Sequence, residues 1–261
     1  MQLRIAYLYP DIMNIYGDRG NIIALTQRCH WRGVEVKVDK ISLNDPFNWQ
    51  KYDLFFSGGG QDRQQELVSK DLKKKASKIY QAVEQGKVFL LICGTYQLFG
   101  HYFKNYQGRK IPGIGVLDLV TIASPQRKIG NALVKLTPEI KAQLNPNQQI
   151  PEVTLIGFEN HSGNTTITQL SSQKKGQYQT VPLGKVIKGF GNNGEDQTEG
   201  AAYYNVFGTC LHGSLLPKNP HFTDMLIRKA LENRYRKKVS LKPLDDALEW
   251  QAHHQVTNLI K

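Results

Sequence analysis

Apolar runs of strand length alternate with helical patterns along the first hundred residues of the chain. A continuous apolar strand is predicted at Val88–Ile92, between a long amphipathic helix at 67–85 and a helix that Gly94 opens. Such alternation is typical of an α/β fold, in which helices cover both faces of a doubly wound, mostly parallel sheet. The other elements predicted in this half are strands at 3–9, 34–38 and 54–56 and a helix at 21–32.

The second half has shorter β-like runs, so we expect extra β-hairpins beside the main sheet. An amphipathic helix is predicted at 222–237, and a C-terminal helix begins at about residue 245, after Pro243. The polar stretch at 171–180 is predicted to be a hairpin tip. The β-like runs lie at 116–122, 132–136, 153–158 and 206–211.

Composition and charge argue against a metal-binding, secreted, membrane-spanning or nucleic-acid-binding protein. The chain has 261 residues, of which 40% are hydrophobic and 21% charged, as in ordinary globular proteins. Three cysteines without metal-type spacing predict no metal site. Neither a signal peptide nor a long apolar run is apparent, so we expect a cytoplasmic protein with reduced thiols. The net charge of +12 favours polyanionic partners, but the lysines are scattered, and we predict no nucleic-acid binding.

Cys93 lies directly between the predicted strand at Val88–Ile92 and the helix opened by Gly94. A cysteine on such a sharp turn projects its sulfur from the carboxyl edge of the sheet, where active sites of doubly wound folds lie. The helix N-terminus favours the thiolate, which is the nucleophilic form. Cys93 is therefore a candidate nucleophile, and the alternative is a small buried core residue.

A thiol nucleophile needs a base, and histidine suits this role because it titrates near neutrality. His212 follows the predicted strand at 206–211, so it reaches the same sheet edge as Cys93. His161 is the second candidate, in a loop-like segment, and the position at a strand end favours His212. The other histidines have no such context: His30, His101, His221 and, on the predicted surface of the C-terminal helix, His253 and His254.

Three consecutive glycines at 58–60 follow the predicted strand at 54–56. Glycines let the backbone approach a ligand closely and direct N–H groups at it, as an oxyanion hole requires. No Lys-Ser/Thr pair follows them, so this is not a Walker phosphate loop, and the alternative is a tight turn without a ligand.

Seven stretches of the chain together resemble class I glutamine amidotransferase domains of the cobyric acid synthase (CobB/CobQ) type. They cover the chain from about residue 3 to the C-terminal segment at 244–250. The resemblance implies a flavodoxin-like amidotransferase domain at 1–240, with a C-terminal helical extension at 241–261 packed on it. The stretches are LYPDIMNIYGDRGNI at 8–22, SGGGQDR at 57–63, CGTYQ at 93–97, RKIGN at 127–131, GFENH at 157–161, GFGNN at 189–193 and GTCLHG at 208–213.

The resemblance implies glutamine hydrolysis through a cysteine thioester. Cys93 would attack the side-chain amide of glutamine, and His212 would pass a proton to the leaving ammonia. The backbone N–H groups of Gly59 and Gly94 would hold the oxyanion. Arg127 would bind the α-carboxylate of glutamine as a guanidinium fork. Glutamine binding is also implied for the segment after the glycines, namely Gln61 and, less directly, Asp62 and Arg63.

Ammonia made by this chain must pass to another polypeptide, because the chain has no loop for ATP. Within the family, the resemblance is greatest to subunits that serve peptidoglycan synthesis. It implies a heterodimer with a Mur-ligase-like partner that carries ATP and Mg²⁺, whereas this chain needs no cofactor. The partner would amidate the D-glutamate of the lipid II stem peptide to D-isoglutamine. Through it, the basic chain would approach anionic, membrane-bound lipid II peripherally.

Ser214 departs from the wider family, which has a carboxylate two residues after the histidine. A serine cannot stabilise an imidazolium as an anion does, so we expect a carboxylate from the partner or a slow Cys-His dyad. Other hypotheses stay open. They are an amidotransferase for another acceptor such as a corrinoid precursor, a non-catalytic regulatory module on the same fold, and a cysteine hydrolase of another substrate.

Overall fold

A computed structural model describes residues 1–144, 153–168 and 178–260 of the chain. The predicted hairpin tip at 171–180 lies largely outside these residues. The first half forms β1 (Gln2–Leu8), α1 (Arg19–His30), β2 (Glu35–Ile41), β3 (Leu54–Ser57), α2 (Asp62–Glu84), β4 (Val88–Ile92) and α3 (Gly94–Leu98). The second half forms β5 (Tyr102–Lys104), β6 (Lys110–Pro112), β7 (Leu119–Leu136), α4 (Pro138–Lys141), β8 (Thr154–Ile167), β9 (Gly184–Lys188), β10 (Thr198–Glu199), β11 (Ala201–Tyr203), β12 (Val206–Thr209), β13 (Leu211–His212), α5 (Pro220–Tyr235) and α6 (Ala247–Ile260).

The first sheet has the strand order β11-β12-β4-β3-β1-β2, and all of its pairs are parallel except β11 with β12. Every residue of β3 and β4 is buried, because helices cover both faces of the sheet. Apolar residues of α1 and α5 pack on one face, and those of α2 pack on the other. The predicted doubly wound α/β fold is therefore confirmed.

A second, largely antiparallel sheet replaces the short hairpins expected in the second half. The predicted runs at 116–122 and 132–136 belong mostly to one strand, β7, which is 18 residues long and pairs antiparallel with β8 along its length. The prediction missed the middle of β7 because its residues are polar and mostly exposed. Residues on both sides of an irregularity between Ala123 and Lys128 stay extended because β8 pairs with them.

The predicted strand at 206–211 is interrupted at Cys210. Strand β12 pairs with β4 in the first sheet, whereas β13 pairs with β8 in the second. A buried carboxylate, Glu199, stabilises this break by accepting hydrogen bonds from the Thr209 hydroxyl at 2.6 Å and the Cys210 N–H at 2.8 Å. The chain therefore passes from one sheet to the other just before His212.

Helix α6 packs against β7 and β8. Trp250 stacks on His221, with 5.1 Å between the ring centroids, and His253 is fully buried. The surface position predicted for His253 is therefore wrong, because the helix packs through its histidines. A domain boundary at residue 240 stays a prediction. No helix in the described ranges is long and apolar enough to cross a membrane.

Candidate active site

Cys93 joins β4 to α3 in a strained backbone conformation, with φ 48° and ψ −105°. Its N–H donates to the carbonyl of Thr209 at 2.7 Å, which ties the turn to the end of the neighbouring strand β12. Such a conformation costs on the order of 1–3 kcal/mol and persists only where the surroundings impose it. The side chain is 6% exposed. The predicted sharp strand-to-helix turn is therefore present, with the cysteine at its tip, and the role of Cys93 as nucleophile stays a prediction.

His212 lies beside Cys93 at the same sheet edge. A Cβ built on Gly59 would be 2.6 Å from His212 Cε1 and 3.2 Å from Cys93 Cβ, so both side chains surround this glycine. Only a residue without a Cβ fits between them. The structure thus brings together the cysteine, the histidine and the glycine loop that the sequence suggested separately.

Asp18 supplies a carboxylate that the sequence analysis missed. Its Oδ1 atom lies 3.0 Å from His212 Nδ1, and both side chains are fully buried. Asp18 immediately precedes α1 but makes no hydrogen bond that caps the helix. The expectation that this chain lacks a carboxylate for His212 is therefore wrong. The family pattern places the carboxylate just after the histidine, whereas this aspartate lies 194 positions earlier.

Electrostatics favour the charged form of His212. Burial by itself lowers the pKa of His212, but the interaction with Cys93 and the carboxylate of Asp18 raise it to about 10. At neutral pH the ring is then an imidazolium, whose proton is available to a leaving group. A thiolate on Cys93 would be its natural counterion, and thiolate is the nucleophilic form of cysteine.

The two N–H groups predicted to hold an oxyanion are in different states. The N–H of Gly59 donates to Asp18 Oδ2 at 2.7 Å, so the role predicted for it requires that bond to be exchanged for one to the substrate. The N–H of Gly94 is the first of α3 and has no partner within that helix. Thr95 holds the two segments together, since its hydroxyl donates to the carbonyl of Gly58 at 2.7 Å. The oxyanion hole stays a prediction.

Arg127 lies at the exposed mouth of the site. Its Nε donates to Asn160 Oδ1 at 2.7 Å, and one terminal nitrogen donates to the Tyr16 hydroxyl at 3.3 Å. The Tyr16 ring in turn meets His212 edge-on, with 5.1 Å between the centroids. Only the ring of Tyr16 therefore separates Arg127 from His212, a suitable place for a group that would bind the far end of a small substrate.

Gln61 is exposed at the residue before α2, and no side-chain hydrogen bond joins it to Cys93 or His212. Asp62 and Arg63 are exposed as well. One turn further along α2, Gln65 is buried instead, and its amide nitrogen lies 3.1 Å from Gln97 Oε1. The apolar pattern of α2 begins only at Leu67, so no local pattern indicates that Gln65 is buried. Substrate binding by Gln61 stays a prediction.

The arrangement can perform acyl transfer on a small carbonyl compound. It combines a thiol on an elbow, a histidine held by a buried carboxylate, and backbone N–H groups at the same point. It offers no nucleotide loop among the described residues.

Comparison with known proteins gives the same picture. Residues 4–220 match the model of the CobB/CobQ-like glutamine amidotransferase domain. Subunit GatD of lipid II isoglutaminyl synthase (glutamine-hydrolyzing) from Streptococcus pneumoniae is 36% identical over 99% of this chain and 92% of its own length. The GatD subunit from Staphylococcus aureus is 36% identical over 96% of this chain and 93% of its own.

More distant relatives share the fold or part of the sequence. A probable cobyric acid synthase from Methanococcus maripaludis is 30% identical over 69% of this chain but only 33% of its own length. The glutaminase domain of Trypanosoma brucei CTPS with bound acivicin superposes with a TM-score of 0.54, at 10% identity, over 92% of this chain and 96% of that domain. A crystal structure of a glutamine amidotransferase gives a TM-score of 0.53, at 11% identity, over 86% and 98%.

Proposed function

The chain belongs to the CobB/CobQ-like glutamine amidotransferase family, and from this premise we propose that it is the glutaminase subunit of a lipid II isoglutaminyl synthase. The observation that carries the proposal is the strained elbow at Cys93 beside the buried pair of His212 and Asp18. Two relatives with 36% identity over almost the whole chain carry that name.

The geometry accounts for each step of glutamine hydrolysis. The Cys93 thiolate attacks the side-chain carboxamide carbon, and the negative charge moves to the carbonyl oxygen at the glycine loop. The His212 imidazolium gives its proton to the amide nitrogen, the C–N bond breaks and ammonia leaves. Water then adds to the thioester while His212 takes a proton from it, and glutamate is released with the thiolate restored. Asp18 stabilises the imidazolium throughout.

Arg127 fixes the amino-acid end of the substrate in this proposal. Its guanidinium is exposed at the mouth and held by Asn160 and Tyr16, so it can bind the α-carboxylate through two parallel hydrogen bonds. An Arg127→Lys variant keeps the charge but loses the fork. We expect its KM for glutamine to rise about tenfold or more with little change in kcat, whereas an unchanged KM would contradict this role.

The ammonia acceptor belongs to the partner. We propose a heterodimer with a Mur-ligase-like subunit in the cytoplasm, which binds ATP and Mg²⁺ and amidates the D-glutamate of the lipid II stem peptide. The basic character of the chain, with a net charge of +12, suits an approach to the anionic membrane surface where lipid II lies. Neutralising exposed lysines without any effect on recruitment to anionic vesicles would contradict that last step.

The decisive experiment measures glutamate release from glutamine by the purified chain, with and without the candidate ligase. Wild type should be active, and Cys93→Ala and His212→Ala should each lose activity. His30→Ala is a suitable control for the histidine variant, because His30 is exposed. No glutamate from wild type under either condition would contradict the proposal. Transfer of ammonia to a corrinoid precursor instead of lipid II would leave the glutaminase but overturn the acceptor.

A further inference from the structure

His161 presents a buried acceptor atom that the mechanism above does not use. The residue lies on β8 and is 5% exposed. Its Nδ1–H donates to the carbonyl of Gly163 at 3.0 Å. In the neutral ring the other nitrogen, Nε2, is then an acceptor only. Within the described ranges of the chain, Nε2 has no hydrogen-bond partner.

The ring lies near the active site. Gly163, which fixes its orientation, packs against Gln97 on the helix that directly follows Cys93; a Cβ on this glycine would be 2.7 Å from the Gln97 amide nitrogen. The charge of His212 also acts on His161. Both observations bring His161 towards Cys93 and His212, so its unpartnered nitrogen is a candidate contact for a small substrate bound there.

The surroundings of His161 determine which donor it can accept. Burial, together with the positive charges of Lys128, His212 and Arg127, lowers the pKa of His161 to about 4, so the ring is neutral at physiological pH. Glutamine offers two donors, the α-ammonium and the carboxamide NH₂. Three cationic groups around the ring disfavour an ammonium, whereas a neutral NH₂ suffers no such repulsion.

We propose that His161 Nε2 accepts a hydrogen bond from the carboxamide NH₂ of glutamine and so determines specificity for an amide. This inference rests on the proposed glutaminase function. The bond would orient the leaving nitrogen towards His212. It would also discriminate against glutamate, because a carboxylate oxygen would place a second lone pair against Nε2. The site would thereby distinguish its substrate from its product.

The test compares glutamine with glutamate γ-methyl ester, which forms the same thioester on Cys93 but releases methanol and has no NH₂ to donate. In His161→Leu, kcat/KM for glutamine should fall about 5- to 100-fold, the range expected when a buried donor loses its partner. For the ester it should change less than about threefold. His30→Leu, at an exposed histidine, is the matched control.

Two further variants separate binding from structure. His161→Gln can place an oxygen near the position of Nε2, whereas His161→Asn can replace only the bond to Gly163. We expect the His161→Gln variant to retain more of the preference for glutamine over the ester than the His161→Asn variant does. If kcat/KM fell equally for glutamine and the ester, or fell for neither, the inference would be overturned while the proposed glutaminase function would stand. A wild type that releases no glutamate, alone or with the ligase, would overturn both.

Discussion

Replacing Asp18 by asparagine tests whether this chain completes its own catalytic triad. The carboxylate accepts hydrogen bonds at both oxygens, from His212 and from the N–H of Gly59. An asparagine has one oxygen and one NH₂ in their place. If its oxygen faces His212, the NH₂ meets the N–H of Gly59, and two donors oppose each other. If the amide is turned the other way, its NH₂ donates to His212 Nδ1. The proton of the neutral ring then lies on Nε2, which is the wrong nitrogen for a base that acts through Nε2.

The size of the effect follows from the lost charge. A hydrogen bond to a charged group contributes about 1.5–3 kcal/mol, so its loss in the transition state lowers kcat by about 10- to 150-fold. Asp18 also helps to raise the pKa of His212 to about 10. In Asp18→Asn the imidazolium therefore loses its proton at lower pH. The basic limb of the kcat profile should move to lower pH as a result.

The assay is steady-state glutamate release between about pH 6 and pH 10, the range that the His212 titration spans. Asp11→Asn is the matched control, since Asp11 lies in the same segment after β1 but is exposed. Circular dichroism and a thermal midpoint check that the buried substitution is tolerated. A kcat within about threefold of wild type and an unmoved basic limb would refute the role of Asp18. A carboxylate from the partner would then be the better explanation.

Three other predictions test the packing around the site and the core. Gly59→Ala should lower kcat by about 10²-fold or more, because the new Cβ would meet His212 Cε1 at 2.6 Å; an active variant would contradict the geometry. Arg28→Met should lower the free energy of unfolding in urea by about 3–5 kcal/mol, since it removes a buried guanidinium that binds both Asp224 at 2.7 Å and Asp246 at 2.6 Å; a smaller loss would show that Arg32, which also binds Asp224, compensates. Burial and the nearby His253 lower the pKa of His221 to about 3, so its contribution to stability is present above about pH 6.5 and is lost as the pH falls. Between pH 7.5 and pH 5 the free energy of unfolding of wild type, measured in urea, should therefore fall by about 2 kcal/mol more than that of His221→Phe. An equal fall in both proteins would contradict this.

The sequence predicted those parts of the molecule that local pattern determines. The strand at Val88–Ile92 ends where predicted, because a fully buried strand is a continuous apolar run with clear ends. The position of Cys93 follows from the rule that parallel strands end at one sheet edge, whereas His212 reaches that edge from β13 of the second sheet, just after β12 ends. In contrast, Asp18 lies in a polar segment whose role depends on a contact across the whole chain. The length of β7 depends likewise on its pairing with β8, which no local pattern records.

The position of Asp18 could nevertheless have been found by the rule that placed His212. Its segment follows β1, whose carboxyl end lies at the same edge of the sheet as that of β4. A search for acidic residues after every parallel strand, instead of only after the histidine, would have included it. Parallel strand topology brings residues after different strands to one sheet edge, even when they are far apart in the sequence.

One carboxylate binds both the predicted base and the predicted oxyanion donor in this site. Asp18 holds His212 through one oxygen and the N–H of Gly59 through the other. When an oxyanion takes the Gly59 N–H, Asp18 loses one of its two donors, and its negative charge acts more fully on the imidazolium. Stabilisation of the protonated histidine would thus increase as negative charge develops on the substrate. If these two predicted roles hold, the base and the oxyanion hole respond together, and we expect a substitution at either Asp18 or Gly59 to change both.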